Sequence, residues 1–272
     1  MPATRFANGP GRFETVSSPT ESIPGRRSPD AFAGRCAILI PALNEAEVVS
    51  ITVQDWLRLG FVHVRVVDNG STDATPALAR QAGAEVVSEE VRGYGSAAWT
   101  GLQNLPPGID WVLFSSADGS DLLTVDELTQ WTAASRTADL ILGDRGSSPE
   151  SSSAMNLSQR VCTVIVRWVV RIGWGRTLRD VGSLRAVRIR AFDSLRLADR
   201  GFGWNVEMQI RAIECGLRIT ELPVCFRPRR AGQSKISGTI FGTTRAATAI
   251  LGILFRLWQT RAERRRRDEN RS

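Results

Sequence analysis

The stretch Ile38-Leu39-Ile40-Pro41-Ala42-Leu43-Asn44-Glu45, followed after a helical interval by Val66-Val67-Asp68-Asn69-Gly70-Ser71-Thr72-Asp73, decides the fold. In both pieces a short apolar run stops at polar and acidic residues that suit a turn or a helix cap. Apolar runs at 36–41, 62–68, 84–87 and 111–115 alternate with helical stretches at 45–59, 73–81 and 94–105. Strands alternating with helices imply an α/β chain whose sheet is mostly parallel and doubly wound. Ligands of such sheets bind beyond the carboxyl ends of the strands. The residues just past the runs are Asn44 and Glu45, then 68–73, then 118–121, and every set carries acid. Asp73 also suits a helix cap, and that reading stands beside the functional one.

Working outward, residues 1–34 are rich in Pro, Gly, Ser and Arg without periodicity and are expected to form a disordered leader, leaving 35–237 as one catalytic domain. A strand is expected at 140–143 and a helix at about 156–173. On that helix Val161, Val164, Ile165, Trp168, Val169 and Ile172 fall on one apolar stripe, with Arg160, Arg167 and Arg171 off it. Packing on the sheet and lying on lipid both explain the stripe. A last helix in 238–260 has an uninterrupted apolar core only over 246–255, against the roughly 20 residues a spanning helix needs. It is expected to be amphipathic and to lie in a membrane interface. The tail, 261–272, holds four consecutive arginines from Arg264 to Arg267, which suits either anionic lipid or a solvated tail.

The 272 residues carry a formal charge of +7, almost all of it arginine, since Lys235 is the sole lysine. That balance favours anionic partners, with arginine-rich coding as the plain alternative. Nucleic acid is not expected, because no aromatics interleave the charge run at the tail. Cys36, Cys162, Cys215 and Cys225 lack metal-ligand spacing and read as reduced core residues, and a single histidine, His63, excludes a histidine triad or zinc centre. The first residues contain no apolar run, so the expected location is the cytoplasmic side of a membrane, peripheral or monotopic.

The pair 38–45 and 66–73 resembles family 2 glycosyltransferases of the GT-A fold. The resemblance implies that Pro41, Leu43, Glu45 and Asp68, with Asn69, line the nucleoside pocket of a sugar nucleotide. Carboxylates there accept hydrogen bonds from base N–H groups or ribose hydroxyls. Arg92-Gly93-Tyr94-Gly95-Ser96 is similar to the family's glycine-rich turn into a helix beside the nucleotide, which brings in Gly93 and Ser96. It lacks the third glycine of the dinucleotide fingerprint.

The stretch from Ser115 to Asp121 occupies the place of the family's Asp-Ala-Asp motif, with Ser116 where the first Asp is usual. The resemblance therefore gives Asp118 the Mg2+ or Mn2+, helped by Ser120, Asp121 or water. Gly143-Asp144-Arg145 is similar to the Gly-Ser-Arg after the family's next strand and offers Arg145 to a phosphate. The blocks 180–185, 201–208 and 221–224 match further family segments and supply Asp180 and Glu207. The ending from Arg229 and Arg230 through Gly232 and Ser234 to Lys235 resembles polyprenyl- and dolichyl-phosphate mannose or glucose synthases, with Arg229, Arg230 and Lys235 binding phosphate.

The implied reaction is one inverting displacement, moving a hexose from a GDP or UDP sugar to a polyprenyl phosphate at a membrane surface, with Asp118, Asp180 and Glu207 as the catalytic acids. An anionic phosphate needs no strong base. With a hydroxyl acceptor, whether glycolipid, polysaccharide or small molecule, Asp180 becomes the first base candidate. A non-catalytic sugar-nucleotide-binding module is the alternative that Ser116 motivates.

Overall fold

The computed structural model describes residues 32–147, 149–231, 248 and 250–261. Residues 1–31 of the leader, Lys235, the start of the last helix and the arginine run of the tail lie outside the described residues, while 32–34 at the leader's end are ordered against the domain.

Seven strands form one sheet in the order β3-β2-β1-β4-β6-β5-β7. Its first half is the expected alternation: β1 (Cys36–Ala42), α1 (Val49–Arg58), β2 (His63–Asp68), α2 (Thr75–Gln81), β3 (Glu85–Ser88), α3 (Tyr94–Gly101) and β4 (Trp111–Phe114). The strands β1 to β4 pair in parallel, with Ala42 level with Asp68. Period-two alternation splits the side chains between two cores. Ile38, Ile40, Val66 and Leu113 meet α1 and α4 (Val125–Ala134) on one face, around Trp56 and Trp131. Leu39, Val67, Val112 and Phe114 meet Ala97 and Ala98 of α3 and helices of the second half on the opposite face.

The second half adds β5 (Leu140–Asp144), α5 (Pro149–Ala154), α6 (Leu157–Trp174), β6 (Arg185–Arg188), α7 (Ile189–Leu195), α8 (Trp204–Glu214) and β7 (Ile219–Pro223). The sheet is parallel except for β6, which runs antiparallel between β4 and β5. This reversal positions the site. Residues 180–184, which precede β6, arrive at the edge where β4 and β5 end. Arg185 stands level with both Phe114 and Leu142.

The helix α6 starts as expected, its Asn156 and Gln159 capping each other's backbone N–H. Its outer face does not pack on the sheet. Val166, Val170 and Trp174 are buried, whereas Val161, Val164, Ile165, Trp168 and Ile172 of the apolar stripe are exposed. The last helix, α9, is described over 250–261 and buries Ile253, Leu254 and Leu257 in the same core as Val166 and Trp174. No helix among the described residues is long and apolar enough to cross a membrane.

A 3-10 turn, Phe32–Arg35, precedes the first strand. Phe32 is buried edge-on against Phe61 at 6.2 Å and Trp111 at 5.7 Å between ring centroids. Replacing it should leave a cavity beside β1, at a cost typical of a buried phenylalanine. Phe32→Ala is expected to lower the unfolding free energy by about 3 kcal/mol in urea titration; a loss below about 0.5 kcal/mol would mean that Phe32 contributes nothing to the core.

Candidate active site

The loops after β1, β2, β4 and β5 and the segment before β6 converge at one rim. After β1 the backbone turns at Asn44, whose φ of 52° is left-handed. The Asn44 carboxamide oxygen accepts the Thr72 N–H at 2.7 Å, and its own N–H donates to Ser71 Oγ, so the loops after β1 and β2 hold each other. Asp73 accepts from the Thr75 N–H at 2.9 Å and the Ala46 N–H at 3.2 Å, so it ties the turn before α2, whose cap position is Ala74, to the loop after β1. Glu45 and Asp68 are buried beside this junction, with Pro41 and Leu43 half-buried along it.

After β4, Asp118 Oδ1 accepts the hydroxyls of Ser116 at 2.7 Å and Ser120 at 2.6 Å and the Ser120 N–H at 3.0 Å. Its second oxygen, Oδ2, faces Arg229 Nε at 3.7 Å. The same guanidinium donates through Nη2 to Glu45 Oε1. One arginine thus bridges the acid after β1 and the acid after β4. Its neighbour Arg230 turns outward to Asp55 at 2.7 Å, its side chain crossing Gly119.

Asp121 lies behind Asp118 and is fully buried. It accepts from the Ser116 N–H at 3.0 Å and the Ser183 hydroxyl at 2.6 Å, so it ties the β4 loop to the segment before β6. Burial first, then the Asp118 charge, pushes its carboxyl up to about 6. Arg145 and Asp180 form a buried bidentate pair at 2.6 and 2.9 Å, with the guanidinium 5.1 Å from the Phe226 ring centroid. Burial alone would raise Asp180, but the Arg145 bonds and charge outweigh it and hold the carboxyl below its ordinary value.

Asn69, Gly93, Ser96 and Glu207 serve the frame. The Asn69 amide donates to the carbonyls of Glu89 and Val91 and its oxygen accepts the Gly93 N–H. A Cβ on Gly93 would stand 2.3 Å from the Arg200 carbonyl oxygen, so glycine is required there for backbone contact. The N–H groups of Gly95 and Ser96 donate to the Gly201 and Arg200 carbonyls, so the start of α3 receives the 199–201 loop. Glu207 Oε2 supports that loop from below through the N–H groups of Ala198 at 3.0 Å and Asp199 at 2.7 Å.

Sequence reasoning missed Ser183, Thr163 and Arg185 as parts of this rim. Thr163 reaches Asp180 at 3.4 Å. Arg185 is wholly buried and donates to the carbonyls of Ser183, Gly182 and Asn205, and burial drives its pKa down to about 10. The motif at 180–185 was the available signal, but nothing in it announces a buried arginine.

Among the described residues no cluster of three or more His, Cys, Asp or Glu could hold a metal ion. The donor set still fits a hard cation. Asp118 is a partly exposed carboxylate that already faces a positive group, and Mg2+ sites commonly take one or two carboxylates plus substrate phosphates. Asp121, with its oxygens held by Ser116 and Ser183, stands behind that position.

A sequence model described as glycosyl transferase family 2 matches residues 37–184. The chain belongs to glycosyl transferase family 2. This family 2 glycosyltransferase is 34% identical over 207 residues to an uncharacterized glycosyltransferase of Mycobacterium tuberculosis, covering 76% of this chain and 91% of that protein. It is 32% identical to the undecaprenyl-phosphate mannosyltransferase of Micrococcus luteus, covering 76% and 90%. Among solved structures it superposes on glucosyl-3-phosphoglycerate synthase of M. tuberculosis in complex with Mn2+, UDP-glucose and phosphoglyceric acid, with a TM-score of 0.63 and 22% identity over 84% of this chain and 81% of that one. The likeness bears out the GT-A fold.

The raised Asp121 carboxyl has a measurable consequence. Its folded-state value exceeds the 3.8 of an ordinary aspartate, so the protonated form is favoured by folding. That stabilisation is full below about pH 4 and is lost as pH rises through about 6. The difference in unfolding free energy between wild type and Asp121→Asn is expected to drift by up to about 3 kcal/mol against the wild type from pH 4 to 7. A pH-independent difference would place an ordinary carboxyl there.

Proposed function

We propose that this family 2 glycosyltransferase moves a hexose, mannose or glucose, from a GDP or UDP sugar to a polyprenyl or dolichyl phosphate, with inversion, at the cytoplasmic face of a membrane. The observation that carries this reading is the state of Asp180. The carboxylate that the family resemblance makes the first base candidate for a hydroxyl acceptor is locked onto Arg145 and held below its ordinary pKa. Opening a buried pair of this kind costs about 3–5 kcal/mol. A phosphate acceptor is anionic already and asks for no base. The name of the Micrococcus luteus relative supports the same class of acceptor.

In this reading Glu45 and Asp68, with Pro41 and Leu43, receive the nucleoside. Arg229 leaves its bridge between Glu45 and Asp118 when the donor enters and meets the diphosphate, joined by Arg230 and by Lys235, which lies outside the described residues. A Mg2+ or Mn2+ ion held by Asp118 would supply positive charge to the departing diphosphate. Arg145 with Asp180, and Asp121 with Ser183, fix the floor beneath the sugar. Glu207 positions the 198–201 loop.

Label transfer from GDP-mannose and UDP-glucose into an organic-extractable, mild-acid-labile product tests the acceptor. Product is expected with one of the two donors, and no lipid product from either would overturn the reading. Asp118→Ala should cut kcat by about 100-fold or more while leaving the protein folded by circular dichroism; near-normal turnover would remove Asp118 from the reaction.

A further inference from the structure

Among the described residues nothing covers the exposed apolar face of α6, and the core work of the helix is done on its other side. Val166, Val170 and Trp174 are buried on the inner side, while Trp168 is 65% and Ile172 64% exposed. Helix α9 repeats the arrangement. Its inner residues Ile253, Leu254 and Leu257 are buried, and Leu251, Phe255 and Trp258, at i, i+4 and i+7, are half or more exposed. The two outer faces adjoin, since a Cβ on Gly173, next to Ile172, would lie 3.6 Å from the Trp258 ring. At the same end the Arg261 guanidinium lies 5.6 Å from the Trp174 ring centroid. Large apolar side chains standing together on a surface mark a partner or a membrane.

Charge selects the occupant. No Asp or Glu occurs in Leu157–Trp174 or in 250–261, while Arg160, Arg167 and Arg171, at i, i+7 and i+11, run along one flank of the α6 stripe. Four further arginines, Arg264 to Arg267, come three residues after Arg261 in the sequence and outnumber the acids beside them, Glu263, Asp268 and Glu269. A second copy would set like-charged arginine rows against each other. An anionic bilayer accepts the apolar side chains, takes tryptophans at its boundary and neutralises the flank.

We propose that the joined outer faces of α6 and α9 dock on an anionic lipid bilayer. The inner side of α6 carries Thr163, which reaches Asp180, so the bilayer lies about one helix diameter, roughly 10 Å, from the Arg145–Asp180 pair. On the lipid-phosphate reading above, this sets an acceptor headgroup at the depth of the site. The docking itself is measured without turnover.

The test is flotation of the full 272-residue chain with phosphatidylcholine vesicles, with and without roughly 30% phosphatidylglycerol. Wild type is expected to float with the anionic vesicles and to be released by salt. Trp168→Glu with Trp258→Glu should lower the bound fraction about tenfold or more. Arg160→Gln, Arg167→Gln and Arg171→Gln together should weaken the preference for anionic vesicles, and Val62→Glu, exposed elsewhere, should float like wild type. All these positions are exposed, and an unchanged unfolding temperature checks that each variant is folded. Flotation of the double tryptophan variant at the wild-type level would overturn the proposal. So would a wild-type dimer that does not float and that the same variant splits, which would assign the face to a second copy. Wild-type flotation without transfer to any lipid phosphate would support the docking and count against the acceptor alone.

Discussion

Carboxylates gathered at one rim of a sheet repel one another and resist burial, so the rim exists only because each is given a different partner. Glu45 and Asp118 share Arg229. Asp180 takes the fork of Arg145, and Asp121 relies on neutral donors with a carboxyl pushed toward its protonated form. The partners differ in how easily they can be exchanged. Arg145 and Asp180 are sealed in, whereas Arg229 sits at the surface side of the rim on a segment that follows the last strand. On the proposed reading the substrate's anionic diphosphate takes Arg229 over from Glu45 and Asp118 without disturbing the fold, whereas drawing Arg145 from Asp180 would open a buried pair.

The reversed strand β6 makes this division possible. A fully parallel sheet would bring only strand ends to the rim. Inserting β6 antiparallel brings strand beginnings as well, and with them Asp180 and Ser183, to face Arg145 and Asp121. The glycines of the 92–98 turn do related work, letting the 199–201 loop close on α3 so that the second half of the chain locks onto the first.

The first half of the fold was legible in the sequence because its strands are short apolar runs and its helices are periodic. The acids after β1, β2 and β4 were legible as a set from their common position past those runs. The strand β6 was not, because Arg185-Ala186-Val187-Arg188 shows no apolar run and its buried arginine is solvated by the backbone carbonyls of Gly182, Ser183 and the distant Asn205. Roles within the rim were harder still. Asn69, Ser96 and Glu207 were read as ligand-facing or catalytic from motif position, yet their hydrogen bonds hold loops. The stripe on α6 was visible in the sequence, but its direction was not, because periodicity shows that a face is apolar without showing what covers it.

Electron paramagnetic resonance of Mn2+, titrated into the protein with GDP or UDP, tests the account at its centre. A charge-exchange rim predicts a saturable, nucleotide-dependent Mn2+ site in the wild type that disappears in Asp118→Asn. Equal Mn2+ binding in the two proteins would contradict it.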